Sequence, residues 1–424
     1  MKMKFLIFLL AVSALFAQSK LTLEECRSEV RKNFPTYQNK EYLKSSFRMK
    51  SKNLFTNYYP KLTLSAQATY QSDVTEFPIK FPSSPLFTIE SPESPDKDRY
   101  QFQLDVKQLI WDGGLVKSQI NTEKTVYLGD SLKIESELYK LNETVNNLYF
   151  AVLLLQEKKT ALEISLNDLS SKMKTVESGV KNGVMLQTSS LILKAEILNL
   201  EQQVSETDVL KKANIDMLSD LMSREITSDT EFIIPEAAEF SKNSKRLELE
   251  SFENERLKLD NTISTVESKL MPKLYGFAQT GYSKPGLNMF SNEFDIYGIV
   301  GVRAEYDISG LYTNSREKDI LTNTKHIVEK QKEAFNKTLD IQLNKTLADI
   351  ENYKSLLEKD KEIIAIRESI LETADKQLAH GTITVNDYIG YSSALNLSRQ
   401  SLRSHEIMLV QAKVNYNNLL NNQE

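Results

Sequence analysis

The chain has 424 residues, 40% of them apolar and 26% charged, which excludes both a disordered polymer and a bundle of membrane-spanning helices. Its net charge of −5 carries no basic block, so there is no electrostatic footprint for nucleic acid. Only 13 Gly and 10 Pro occur, and so few breakers predict long uninterrupted elements.

Residues 1–17 read as a secretory signal. Lys2 and Lys4 precede an apolar run from Phe5 to Phe16, and Ala17 offers a small residue for cleavage. The run, about 12 residues, is too short to span a bilayer as a helix. The single cysteine, Cys26, cannot form an internal disulfide. It follows Glu24 and Glu25 in a charged segment, which suits a structural thiol, buried or on the surface, better than a lipid anchor.

An internal repeat organises the rest. Tyr59-Pro60-Lys61-Leu62 recurs as Met271-Pro272-Lys273-Leu274. Each copy opens a predicted strand, continues through a loop to a second strand, and reaches a glycine turn, Asp112-Gly113-Gly114 or Asp307 to Gly310. The strands are expected at about 61–71 and 99–111, then at about 273–282 and 295–308. Residues 100–107 alternate strictly, with Tyr100, Phe102, Leu104 and Val106 opposite Gln101, Gln103, Asp105 and Lys107. Runs of about ten alternating residues suit tilted membrane strands, and also suit an ordinary antiparallel sheet with one wet face. Four strands cannot close a barrel, since small barrels need about eight. Membrane strands would therefore have to be shared among several chains.

Long proline-free stretches follow the glycine turns. Gly114 to Gly183 is 69 residues and Gly310 to Gly381 is 71. From Leu138 to Val180 apolar residues recur at steps of three and four, interrupted only by Lys159, as in a coiled-coil seam. A second seam runs from Leu339 to Leu378, and the offset of 198 that relates the seams also relates Gly183 to Gly381. Leu356, Ile363, Ile366 and Ile370 form another stripe on the same helix, which predicts neighbours on two sides. A helix of about 65 residues would be roughly 100 Å long. The organisation is thus a first repeat over 18–222, a linker at 223–239 barred from helix by Pro235, and a second repeat over 240–424.

Together these residues resemble the TolC-like outer-membrane efflux protein family. The resemblance covers the mature chain and is carried by Leu21 to Glu25, Asn33-Phe34-Pro35, Tyr59 to Leu62 and, most specifically, Gln108-Leu109-Ile110-Trp111-Asp112-Gly113-Gly114. It implies an α+β membrane protein. Three subunits would give four strands each to a twelve-stranded β-barrel that continues into a long periplasmic α-helical barrel. The implied role is an exit duct in the outer membrane for small molecules or secreted proteins. The implied partners are a homotrimer, a periplasmic adaptor and an inner-membrane pump of efflux or type I secretion systems, with outer-membrane lipid around the barrel.

The resemblance places the adaptor-facing tips at Gly183, Gly381 and Thr384. It places a pore constriction at Asp387, beside Tyr388, with Ser189 at the matching position of the first copy. Two further positions depart from the family's tightest gates, because Ile383 replaces a gating arginine and Gly390 an acidic residue. A carboxylate favoured at a helix start explains Asp387 equally well. Tyr70, Tyr100, Phe102, Trp111 and Tyr306 are candidates for aromatic girdles of the barrel. The proline-rich stretch 78–95 is expected as an external loop.

No enzyme site, metal site or cofactor is expected. His326, His380 and His405 lack metal-ligand spacing, and no phosphate loop or nucleophile–histidine pair can be assembled. The rival readings are a periplasmic coiled-coil adaptor or scaffold without a membrane barrel, and an adhesin stalk.

Overall fold

The computed structural model describes residues 20–75, 94–227, 230–236 and 246–420. The signal segment 1–17 and residues 78–93 of the proline-rich stretch lie outside these. In chain order the elements are β1 (Lys20–Leu21), α1 (Leu23–Asn33), α2 (Asn39–Phe55), β2 (Lys61–Tyr70), β3 (Asp98–Trp111), α3 (Leu115–Lys181) and α4 (Gln187–Met222). They continue as β4 (Glu231–Phe232), α5 (Leu247–Lys269), β5 (Lys273–Lys284), β6 (Asp295–Glu305), α6 (Leu311–Ala379) and α7 (Val385–Leu420). The two halves match closely in length: α3 has 67 residues and α6 has 69, while α4 and α7 have 36 each. Among the described residues no helix is long and apolar enough to cross a membrane.

Two compact units result. One comprises Glu41–Ser131 and Ser251–Lys332 and contains a four-stranded antiparallel sheet in the order β2-β3-β5-β6. Its register collects one chemistry on each face. Leu62 pairs with Val106 and Leu64 with Leu104, while Ala278 pairs with Val106 on one side and Val300 on the other. The opposite face pairs Ser65 with Gln103, Asp105 with Gln279, and Lys61 with Lys107.

The second unit comprises Met1–Lys40, Leu132–Glu250 and Glu333–Glu424. The first-repeat seam supplies its core: Val145, Val152, Leu169 and Val176 are buried, and Ile350, Ala374 and Leu378 are buried on the second seam. Lys159, the polar interruption, is tied to Asp208 of α4 by bonds of 2.7 and 2.9 Å. On the other stripe Leu356 is half-buried, while Ile363, Ile366 and Ile370 are exposed.

Near the chain start, Thr22 caps α1 by accepting from the Glu25 N–H at 3.2 Å. Pro35 ends that helix, so the first helical stretch is two helices rather than one. The linker is not wholly irregular, because β4 pairs in parallel with β1. Tyr149 locks this pair, its hydroxyl lying 2.7 Å from the carbonyl oxygens of both Leu21 and Ile233, between which its one proton is shared, and accepting from the Ile233 N–H at 3.1 Å. Cys26 is buried in the same core, and burial pushes its thiol pKa up to about 12.

Candidate functional site

Three places bear on function: the faces of the sheet, the junctions where strands become helices, and the hairpin turns.

Among the described residues nothing covers the apolar face. Every residue of β2 is exposed, and so are Ile296, Val300 and Val302 of β6. Tyr70, Tyr100, Phe102, Trp111 and Tyr306 are all exposed, and Tyr306 lies just past the end of β6 rather than within it. Alternation by itself would put Trp111 on the polar face with Gln101, Gln103 and Lys107. A β-bulge between Leu109 and Trp111 instead sets Trp111 opposite Leu274, on the apolar face. Tyr282 and Phe294, stacked at 5.1 Å, join Tyr100 at the far end of the sheet. Neither was singled out in the sequence: Tyr282 lies near the end of β5 and Phe294 just before β6.

The polar face carries a continuous hydrogen-bond network. Gln101 Nε2 donates to the Tyr297 hydroxyl, which donates to Gln103 Oε1, both at 2.7 Å. Asp105 Oδ1 accepts from Gln103 and Gln279, each at 2.6 Å. Lys107 contacts Glu305 at 3.0 Å and stands 3.8 Å from the centre of the Tyr275 ring.

At the first junction Asp112 is 2% exposed and caps α3, accepting from the Gly114 N–H at 2.9 Å and the Val116 N–H at 2.7 Å. The Tyr58 hydroxyl donates to the same carboxylate at 3.0 Å, and its own pKa is raised, first by burial and then by that bond. Gly113 has φ +69, and a Cβ there would lie 2.0 Å from Met271 Cβ. Gly114, at φ +85, has open space. At the second junction Asp307 accepts from the Ser309 N–H at 3.0 Å, and a Cβ on Gly310 would meet Leu270 Cδ2 at 2.7 Å. The adjacent residues Leu270 and Met271 therefore bear on both glycine turns.

The hairpin turns share one geometry. Gly183 and Gly381 have φ of +75 and +68. Val184 N–H donates to the Gly179 carbonyl at 2.9 Å and Gly183 N–H to that of Val180 at 3.0 Å. Thr382 and Gly381 repeat the pattern onto Gln377 and Leu378. These are Schellman caps, which favour glycine at the left-handed position.

The next helices differ. Thr384 and Asp387 form a reciprocal capping box at the start of α7, and Asp387 is exposed. At α4 the equivalent positions are Leu186, which makes no capping bond, and Ser189. Tyr388 requires a correction. It is 2% exposed, within reach of Asp168 and with Lys172 5.4 Å from its ring centre, and burial raises its pKa. It packs inside the hairpins of one chain, so it does not line a mouth. The sequence held the signal, because Val385, Tyr388, Ile389, Ser392 and Leu395 follow the helical period of a buried stripe. A further pair was missed, His405 Nδ1 lying 2.6 Å from Asp360 Oδ2 between α6 and α7. Long-range pairs of this kind leave no local signature.

Residues 55–211 match a family model described as outer membrane efflux protein. No curated protein matches the chain. Among solved structures, CusC, studied for the conformational changes of folding and transmembrane channel formation, is 13% identical with a TM-score of 0.71, covering 94% of this chain and 91% of its own. The outer membrane protein VceC of Vibrio cholerae is 15% identical with a TM-score of 0.66, covering 94% and 95%. The CmeC outer membrane channel of Campylobacter jejuni is 12% identical with a TM-score of 0.67, covering 94% and 85%. At such identities these structures show a shared fold. Through residues 55–211 the chain is thus similar to outer membrane efflux proteins.

Proposed function

We propose that three copies of this chain close their sheets into one twelve-stranded barrel in the outer membrane, continued by a periplasmic helical tunnel. The assembly is a passive exit duct for small molecules or secreted proteins, delivered by an inner-membrane pump through a periplasmic adaptor. One observation carries this reading: among the described residues, β2 and β6 are free edges of a sheet whose apolar face is exposed. Such edges invite pairing with another chain, and closure is the arrangement that satisfies them in lipid. The exposed isoleucines of α6 fit a neighbouring copy along the tunnel wall.

The tips at Gly183, Gly381 and Thr384 meet the adaptor, and Asp387 and Ser189 narrow the inner mouth. Membrane fractionation with heat-modifiable gel migration tests the assembly. A detergent-requiring, heat-modifiable trimer is expected. A soluble monomer obtained without detergent would overturn it in favour of a periplasmic scaffold. Because Asp387 also caps α7, its charge is tested with Asp387→Asn, which keeps a capping oxygen. Single-channel recording should show weaker cation preference and weaker block by multivalent cations; unchanged values would remove Asp387 from the constriction.

A further inference from the structure

We infer that the polar face of the sheet carries an anion-binding belt at its helix end, built on Lys61, Lys107 and Lys273. The inference rests on the duct reading and adds a class of solute to it: small organic anions bearing carboxylate or phosphate groups.

The argument begins with a pairing that sheet physics disfavours. Lys61 and Lys107 are direct cross-strand partners on β2 and β3, and like charges placed opposite each other cost stability. Lys107 is partly compensated by Glu305 and by the Tyr275 ring. Lys61 and Lys273 have no carboxylate within 4 Å among the described residues. Asp307 lies within the field of Lys273, but its carboxyl is held low chiefly by Ser309.

All three lysines line one cavity of about 410 Å³, together with Asp112 and the first residues of α3. Asp112 brings one negative charge to this lining against three lysines, and its oxygens are held by two backbone N–H groups and the Tyr58 hydroxyl rather than by any of the lysines. Arg303, on the same face, adds a further cation over the Phe277 ring at 5.0 Å.

A wet lumen alone does not call for these charges. Further along the same face Gln101, Gln103 and Gln279 keep the surface polar with neutral amides that bond one another, Tyr297 and Asp105. Three lysines around one cavity, of which only Lys107 meets a carboxylate within 4 Å among the described residues, are what an anionic ligand would relieve. Charges of one sign in a low-dielectric cleft also focus the field and concentrate counter-ions. In the trimer the cluster repeats in every copy, giving a ring at the barrel base.

The test is planar-bilayer recording with inorganic tripolyphosphate as the probe, on wild type, Lys61→Gln/Lys273→Gln and Lys61→Arg/Lys273→Arg. Wild type and the arginine variant should conduct and be blocked at millimolar probe. The glutamine variant should conduct in probe-free salt but need about tenfold more probe for the same block. Equal block of all three, or no block of a conducting wild type, overturns the belt and leaves the duct reading standing. A wild type that forms heat-modifiable trimers yet never conducts overturns both.

Discussion

Thr384 and Asp387 cap α7 reciprocally: the Asp387 N–H donates to Thr384 Oγ1 at 3.2 Å, and Asp387 Oδ2 accepts from the Thr384 N–H at 3.0 Å. The Thr384 hydroxyl, then its N–H, holds the Asp387 carboxyl below its usual range. A depressed carboxylate pKa stabilises above the unfolded value of 3.8, and that contribution is lost as pH falls through the folded value. The stability difference between wild type and Asp387→Ala should therefore be present at neutral pH and shrink in acid. Thermal unfolding of the detergent-solubilised protein at both pH values measures it.

The first hairpin lacks this cap. Leu186→Thr with Ser189→Asp should give α4 the same box and raise stability by about 1 kcal/mol, read from denaturant midpoints. No gain would mean that the α4 start is already satisfied by other contacts.

Gly113 and Gly114 should respond unequally to alanine. Both need positive φ, which costs roughly 1–2 kcal/mol for a side chain. Only Gly113→Ala also collides with Met271, at 2.0 Å, so the backbone there must move. Gly113→Ala should sharply reduce the yield of folded protein, whereas Gly114→Ala should fold with a modest loss in melting temperature.

Cys26 should be inert until the core opens. Its folded pKa of about 12 lies above the ordinary 9.0, so the neutral thiol stabilises fully below about 9 and loses that contribution as pH rises towards 12. A maleimide reagent at neutral pH should label denatured protein and spare the native form. Cys26→Ser should lose part of the alkaline decline in stability.

Lys159 and Asp208 should be coupled weakly. Their side chains are 31% and 47% exposed, so solvent screens the pair. A double-mutant cycle with Lys159→Ala and Asp208→Ala should return about 0.5 kcal/mol. A much larger value would mark Lys159 as the key to the hairpin register.

Much of this architecture was legible because it depends on short-range rules. The seam from Leu138 to Val180 announces a buried helix stripe, and a glycine after a long proline-free run announces a left-handed cap. The strict alternation of residues 100–107 likewise separates the two faces that the pairing registers show. What escaped depends on a local irregularity or on distant partners. One extra residue at the bulge reverses the face of Trp111, which alternation cannot foresee. The Tyr149 lock joins residues 84 and 128 positions away, and the His405–Asp360 pair spans 45. Tyr388 is different, since its burial was written in the period of α7 while its neighbour Asp387 drew attention to the wrong face.

Leu270 and Met271 sit over Gly310 and Gly113, the turns by which each half leaves the sheet. Two neighbouring residues on one backbone thus hold the exits of both halves in a common vice. The halves are not free to drift apart over generations. A bulkier residue at Gly113, or a single insertion beside Met271, would have to be answered in the other half of the gene, whereas one at Gly310 would be answered by Leu270 within its own half.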